Sequence, residues 1–409
     1  MKNDDHFDDF RDHTLLKHAI LEAYLEAWAF KLIQWGGGGR HLYVVDGFAG
    51  AGKDAAGNPG SPLVACRIAA KVRGAMSAKT PPIDGRVTVI AVESHKKRFA
   101  ALQKALGSFL EDPEVASAYC SEMHERTEEF ARRAGDAPTL YFLDPFGVKG
   151  LRASGYPTML HGPSNEIFAL FADIGAVRLR GVVHGTDQNE QRIRDVLQAP
   201  SIFEEWDQAE IAELKAESAA KAAWRERFAP GAEAAITDAL GDDSWIAALA
   251  GMTPDEARQE LLLRFGLKLR QAGAAHLLYI PIRDAKGVHK HFLIYATKSR
   301  MGLRAMKDAV SEGLNRKDLA PVMRDRIRDD LRVPLHAVLD QLSAKFAGQT
   351  VRWTDKKGKD AGTVRGYLLA ETDVFTFQCP DIHDALKSAS VLSRRKVDIC
   401  DFRGQSTDP

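Results

Sequence analysis

Between residues 41 and 173 the chain alternates short apolar runs with longer amphipathic stretches. The runs are Leu42-Tyr43-Val44-Val45, Val87-Thr88-Val89-Ile90-Ala91-Val92, a shorter piece from Val115 to Cys120, Leu140-Tyr141-Phe142-Leu143 and Ile167-Phe168-Ala169-Leu170-Phe171. They are short, rich in β-branched and aromatic residues, and apolar at consecutive positions. That pattern predicts strands buried on both faces, as in a parallel sheet. The intervening stretches at 60–72, 95–110 and 125–134 carry helical spacing, and Ser61 with Pro62 reads as a cap and first turn. Ahead of the first strand, Leu15, Leu16, Ala19, Ile20, Ala23, Tyr24, Ala27, Trp28 and Leu32 recur every three or four residues. A helix over 13–35 is predicted, ended by the hinge Gly36-Gly37-Gly38-Gly39. Residues 1–12 read as a flexible acidic leader.

The alternation stops near residue 180. Residues 181–270 hold Ala, Glu, Lys, Arg and Trp at helical spacing and no strand-like run, which predicts a helical insertion, a lid or a partner surface. Strand pattern returns in Ala275 to Ile282 and Lys290 to Thr297, on either side of Asp284-Ala285-Lys286-Gly287, and predicts an antiparallel hairpin. The expected fold is α/β, a Rossmann-like sheet built from 13–180 and 271–315 and closed by that hairpin. This is the layout of class I S-adenosylmethionine (SAM) methyltransferases. Residues 331–409 form a separate pattern, a small C-terminal α/β unit resembling a winged helix, with Lys356, Lys357, Lys359, Arg394, Arg395 and Lys396 as candidate phosphate or partner contacts.

Composition changes this picture little. Lys+Arg 56 balances Asp+Glu 56 over 409 residues, so no overall field draws the chain to nucleic acid or membrane. The polar N-terminus is unlike a signal peptide, and no apolar run is long enough to span a bilayer. Cys66, Cys120, Cys379 and Cys400 form no CxxC pair, which argues against a metal site within the chain and fits reduced thiols and a cytoplasmic location.

The candidate chemistry sits at predicted strand ends, where open α/β sheets bind their ligands. The first strand runs into Asp46-Gly47-Phe48-Ala49-Gly50-Ala51-Gly52, an acid and a glycine-rich turn, and the second ends on Glu93. An acid at that second place accepts the ribose hydroxyls of an adenosine cofactor, SAM or NAD alike. No Walker lysine follows the glycines, which disfavours triphosphate hydrolysis. The fourth strand ends in Asp144-Pro145-Phe146-Gly147. Amino-methyltransferases carry an Asp/Asn-Pro-Pro-aromatic loop here. An exocyclic base amine is a poor nucleophile, and a carboxylate with a proline carbonyl accepts its N–H bonds while an aromatic ring stacks the base. Asp144, Pro145 and Phe146 are therefore the catalytic candidates, although Phe146 stands one place earlier than the usual aromatic. Asp46, Gly47, Phe48, Gly50, Gly52, Ser61, Glu93 and Glu122 are the cofactor candidates. Arg178 and Arg180 follow the fifth strand and are candidates for phosphate or a partner. His289 and His291 flank the hairpin turn and read as edge-strand or solvated residues.

Several separated motifs, in order, resemble one family. They are His13-Thr14-Leu15-Leu16-Lys17-His18, Val45 to Gly52, Gly60-Ser61-Pro62-Leu63, Leu143 to Gly147, and Ile294-Tyr295-Ala296-Thr297 with Gly302 to Asp308. Over about residues 13–315 the chain is similar to the three-Cys-motif partner proteins (TcmP), a methyltransferase-like group. Asp-Pro-Phe-Gly also resembles the motif of tRNA guanine-N2 dimethyltransferases, and the glycine turn with Gly-Ser-Pro that of ribosomal RNA adenine-N6 methyltransferases. The resemblance implies a bacterial or phage protein that works beside a separate cysteine-motif protein, a metal or iron–sulfur partner. The expected function is SAM-dependent methylation of an exocyclic amine of a nucleobase in RNA or DNA. The alternative is an accessory, non-catalytic subunit in DNA modification or phage defence, and a third reading is an NAD- or nucleotide-binding enzyme.

Overall fold

The computed structural model describes residues 4–35, 40–54, 56–145, 147–184, 229–354, 362–394 and 398–402; the side chains of 4–13, 35, 182, 393 and 394 are left aside. The first helix, α1, spans Asp4–Trp35. It takes in most of the expected leader, because no Gly or Pro interrupts the chain before residue 36. The glycine hinge itself lies outside the described residues.

The predicted parallel strands follow as β1 (His41–Asp46), β2 (Arg86–Val92), β3 (Ala116–Tyr119), β4 (Thr139–Leu143) and β5 (Glu166–Phe171). The hairpin is β6 (His276–Arg283) and β7 (His289–Thr297). Together they make one Rossmann-like sheet in the order β3-β2-β1-β4-β5-β7-β6. All neighbours from β3 to β5 are parallel, and β7 is antiparallel to both β5 and β6. The strand order switches between β1 and β4, with β2 and β3 added on one side and β5 on the other, so the carboxyl ends of β1 and β4 flank a crevice.

Both faces are buried, which explains the uninterrupted apolar runs. Successive side chains point to opposite faces. Leu42 and Val44 enter one core with Leu16, Ile20, Tyr24, Trp28 and the helix α2 (Ser61–Ser77), whereas Tyr43 and Val45 enter a second. The second core holds α4 (Met123–Ala134) and the described part of the helical block, 229–240 and Pro254–Gln271. Phe265 of that last helix stacks on Phe171 of β5 at 4.7 Å between ring centroids. The described helices of the block thus form a layer on the sheet. Arg180 belongs to this packing. It is 3% exposed and donates to the carbonyls of Leu249 and Met252 at 2.7 Å each, so it is not a phosphate contact; Arg178 is exposed.

Two polar devices tie the outer elements down. At the amino end of β5, Tyr24 donates to Glu166 Oε2 at 2.5 Å and Thr297 donates to Oε1 at 3.0 Å. Burial pushes the Glu166 carboxyl up. A Cβ on Gly302 would lie 2.5 Å from that carboxylate, so the small residue is needed there. Further along the helix Arg300–Gly313, the fully buried Lys307 donates to the carbonyls of Leu369 and Thr372. Burial pushes its ammonium down to about 8. This holds the C-terminal unit, in which helix Leu335–Phe346, β8 (Thr350–Arg352), helices Val364–Glu371 and Cys379–Ser388, β9 (Leu392–Arg394) and β10 (Asp398–Asp401) share their own core. Tyr367-Leu368-Leu369, apolar in sequence, is helix. The basic candidates Lys356, Lys357, Lys359, Arg395 and Lys396 lie outside the described residues, and the side chain of Arg394 is among those left aside.

Candidate functional site

The strand ends place acids where the sequence pattern puts them. Asp46 closes β1 and is 1% exposed. Its Oδ1 accepts the Phe48 amide at 3.2 Å, while Oδ2 is buried with no hydrogen-bond partner. Burial pushes this carboxyl up to about 7; the Ser61 hydroxyl and the Phe48 amide oppose the shift, and the nearby charges of Asp144 and Glu93 add to it. Ser61 is therefore beside Asp46, although it stands inside α2 and Gly60 takes the cap position.

The glycines of the turn have different reasons. The Gly47 amide continues the ladder to Phe142 O at 2.9 Å, and a Cβ there would sit 3.0 Å from Leu143 and Met123. Gly50 has φ 62° with open space where a side chain would be. Gly52 has φ 77°, and a Cβ would lie 2.9 Å from Ala105 of α3 (Lys96–Leu106). Gly50 thus faces room for a ligand, whereas Gly52 is a packing glycine against α3. Gly52→Ala is expected to cost about 1–3 kcal/mol, more than Gly50→Ala, because only the former adds a clash to the positive-φ penalty. Urea unfolding of the two variants checks this order.

Glu93, 5% exposed, follows β2. Its Oε1 accepts the His95 amide at 2.7 Å and the Arg98 Nε and Nη2 at 3.0 and 2.9 Å. Those bonds converge on one oxygen and fix the carboxylate at the crevice rim. Glu122 is exposed and precedes α4; its amide donates to Glu125 Oε2 at 3.2 Å, a helix-capping position. The half-buried Phe48 ring packs on Gly150, where a Cβ would approach it to 2.7 Å, and so joins the β1 turn to the loop after β4.

Asp144 and the buried Pro145 follow β4; Phe146 lies outside the described residues. The Asp144 Oδ2 is 2.7 Å from Nζ of Lys17, on α1, with side chains 20% and 12% exposed. Beside this pair stand His18 and His291. Burial, then the Lys17 charge, pushes each imidazole down to about 4. Because β7 runs antiparallel to β5, with Phe171 opposite Phe292, His289 and His291 lie beyond the carboxyl end of β5. His289 Nε2 is 2.7 Å from Oδ2 of the fully buried Asp173. The two histidines are thus part of the strand-end cluster, not solvated residues of a hairpin edge.

No protein-family model and no curated protein matches the chain.

The carboxyl edge of the sheet therefore gathers Asp46 and Glu93 at one end of the crevice, and Lys17, His18, Asp144, Asp173, His289 and His291 at the other. Lys17 and His18 stand in the motif His13 to His18, but beside the apolar stripe of α1 they carried no site role in sequence. Asp173 obeyed the same strand-end rule as the other acids and was open to the same reading. The histidines gain their place from the antiparallel insertion of β7 between β5 and β6, which local pattern does not specify. Among the described residues no helix is long and apolar enough to cross a membrane, and no group of three or more His, Cys, Asp or Glu has metal-holding geometry.

Proposed function

We propose that this protein is a class I SAM-dependent methyltransferase acting on an exocyclic amine of a nucleobase in RNA or DNA. The observation that carries the reading is the sheet order, β3-β2-β1-β4-β5-β7-β6 with β7 antiparallel, bearing Asp46, Glu93 and Asp144 at the ends of β1, β2 and β4. The residues fit the cofactor. Asp46 has a buried oxygen without a partner, suited to a cationic amino acid group, and Gly50 leaves open space beside it. Glu93 suits the ribose hydroxyls. Ser61, Gly47 and Phe48 shape the same turn. When bound, SAM supplies a methyl carbon on a positively charged sulfur.

This chain's own part is to hold and orient the amine. Asp144 accepts an N–H bond from it and favours the positive charge that grows on nitrogen. The same carboxylate can take the proton that nitrogen sheds. The C-terminal unit supports a macromolecular substrate or partner. Its described elements run helix, strand, helix, helix, strand, strand, with the sheet β8-β10-β9, an order that supports the winged-helix reading. Calorimetry of the wild type with SAM and S-adenosylhomocysteine (SAH) tests the reading. One-site binding of both is expected, and a folded protein that binds neither would sink it.

A second reading has one observation in its favour. Asp144 already holds a cation, Lys17, where the substrate amine is expected. That suits an accessory subunit that keeps the fold and works beside a three-Cys-motif protein. Methyl transfer from labelled SAM by the isolated chain removes this reading.

A further inference from the structure

The contact between Lys17 and Asp144 joins the acid that follows β4 to helix α1. Two explanations compete for it. In the first, the ion pair pins α1 to the sheet. That anchoring is already supplied by Leu16, Ile20, Tyr24, Leu25 and Trp28, all buried in the core. Five buried apolar side chains outweigh one part-exposed ion pair. A charge at residue 17 is not needed to hold the helix.

In the second, the contact serves Asp144. This residue follows the last residue of β4, beyond the strand ladder that fixes its neighbours. A carboxylate there is free to turn toward water unless something holds it. Lys17 Nζ does so at 2.7 Å on Oδ2, and a carboxylate has acceptor capacity on both oxygens. We infer that Lys17 is a positioning residue, which holds Asp144 through Oδ2 and leaves Oδ1 to accept an N–H of the incoming amine. This rests on the methyltransferase reading of the site. The surroundings agree with it. His18 and His291, which as cations would compete for the same carboxylate, are neutral near pH 7, since each is pushed down to about 4. Lys17 is left as the charged donor beside Asp144.

Lys17→Met keeps the apolar stem and removes the donor. Lys17→Arg restores a charged donor, and Lys17→Gln a neutral one if the Met variant does not fold. Each is made in the full chain and followed by thermal unfolding, SAH binding, methyl transfer and a crystal structure. For Lys17→Met the expected result is near wild-type unfolding, SAH affinity and KM, with kcat lowered about 10- to 100-fold. Its Asp144 carboxylate should leave the wild-type position. Lys17→Arg should regain most of kcat and the wild-type Asp144 position, and Lys17→Gln should fall between. Unchanged or raised kcat in Lys17→Met would overturn the inference, the latter by marking Lys17 as a plug. So would an Asp144 that keeps its place without Lys17, or an Arg variant as impaired as the Met variant. A wild type that transfers no methyl removes the methyltransferase reading alone, and the position of Asp144 in the variant crystals still decides what Lys17 does.

Discussion

Asp144→Ala is expected to lower methyl transfer about 100- to 1,000-fold while SAH binding stays within about threefold of wild type. The acid follows β4 beside the Asp46 turn, but its hydrogen bond is to Lys17, so its loss leaves the bonds that hold Asp46 and Glu93 in place. What disappears is an acceptor aimed at the amine and a negative charge that opposes the positive charge growing on nitrogen. Asp144→Asn keeps an acceptor oxygen without the charge and should fall between wild type and Ala. The Ala change also leaves Lys17, 12% exposed, without its partner. A part-buried cation stripped of its counter-ion costs about 1–3 kcal/mol of stability. Lys17→Met combined with Asp144→Ala should therefore recover stability without recovering activity. Single-turnover transfer from labelled SAM, set beside urea unfolding, separates the two effects. An Asp144→Ala enzyme with wild-type transfer would remove the amine-orienting role.

The parts of the fold that were legible in sequence are those dictated locally. Strands buried on both faces must be apolar throughout, so β1, β2, β4 and β5 stand out, and the acids that end them are conspicuous because they interrupt that pattern. The start of α1 and the ends of α2 were less legible, whereas α1 ends at Trp35 as expected. Helix ends depend on which residue leaves the ladder first, and Gly60, not Ser61, takes the cap. The other half of the site depends on long-range pairing. Lys17 reaches Asp144 across 127 positions of sequence and His289 reaches Asp173 across 116. No periodicity encodes either approach. Nor does a glycine announce its reason, since Gly50 and Gly52 look alike in sequence yet one meets open space and the other α3.

Binding of SAM and SAH is expected to weaken as the pH falls below about 7, and Asp46→Asn is expected to abolish both the affinity and its pH dependence. In the free protein burial pushes the Asp46 carboxyl up to about 7 from its ordinary 3.8. A cationic amino group placed against its unpartnered Oδ2 favours the ionised form, so binding must expel the proton that the free protein holds at lower pH. Apparent affinity then falls about tenfold per pH unit below the folded value. His18 and His291 do not obscure this window, because both are neutral above about 4. The stability change runs alongside. The folded pKa is raised, so the contribution of Asp46 to stability is fully present below about pH 4 and is lost as the pH rises through about 7. Removing the ionisable group by Asp46→Asn should raise stability above about pH 7 by on the order of 4 kcal/mol and change little near about pH 4. The amide oxygen can still accept the Phe48 amide, which keeps the turn in shape. Calorimetry with SAH from about pH 5 to about pH 8, in buffers of different ionisation enthalpy, reads the expelled proton directly. A flat affinity profile in the wild type would mean that Asp46 does not meet the cation. Greater stability with lost binding in Asp46→Asn would identify the buried acid as a residue kept for its ligand at a cost to the fold.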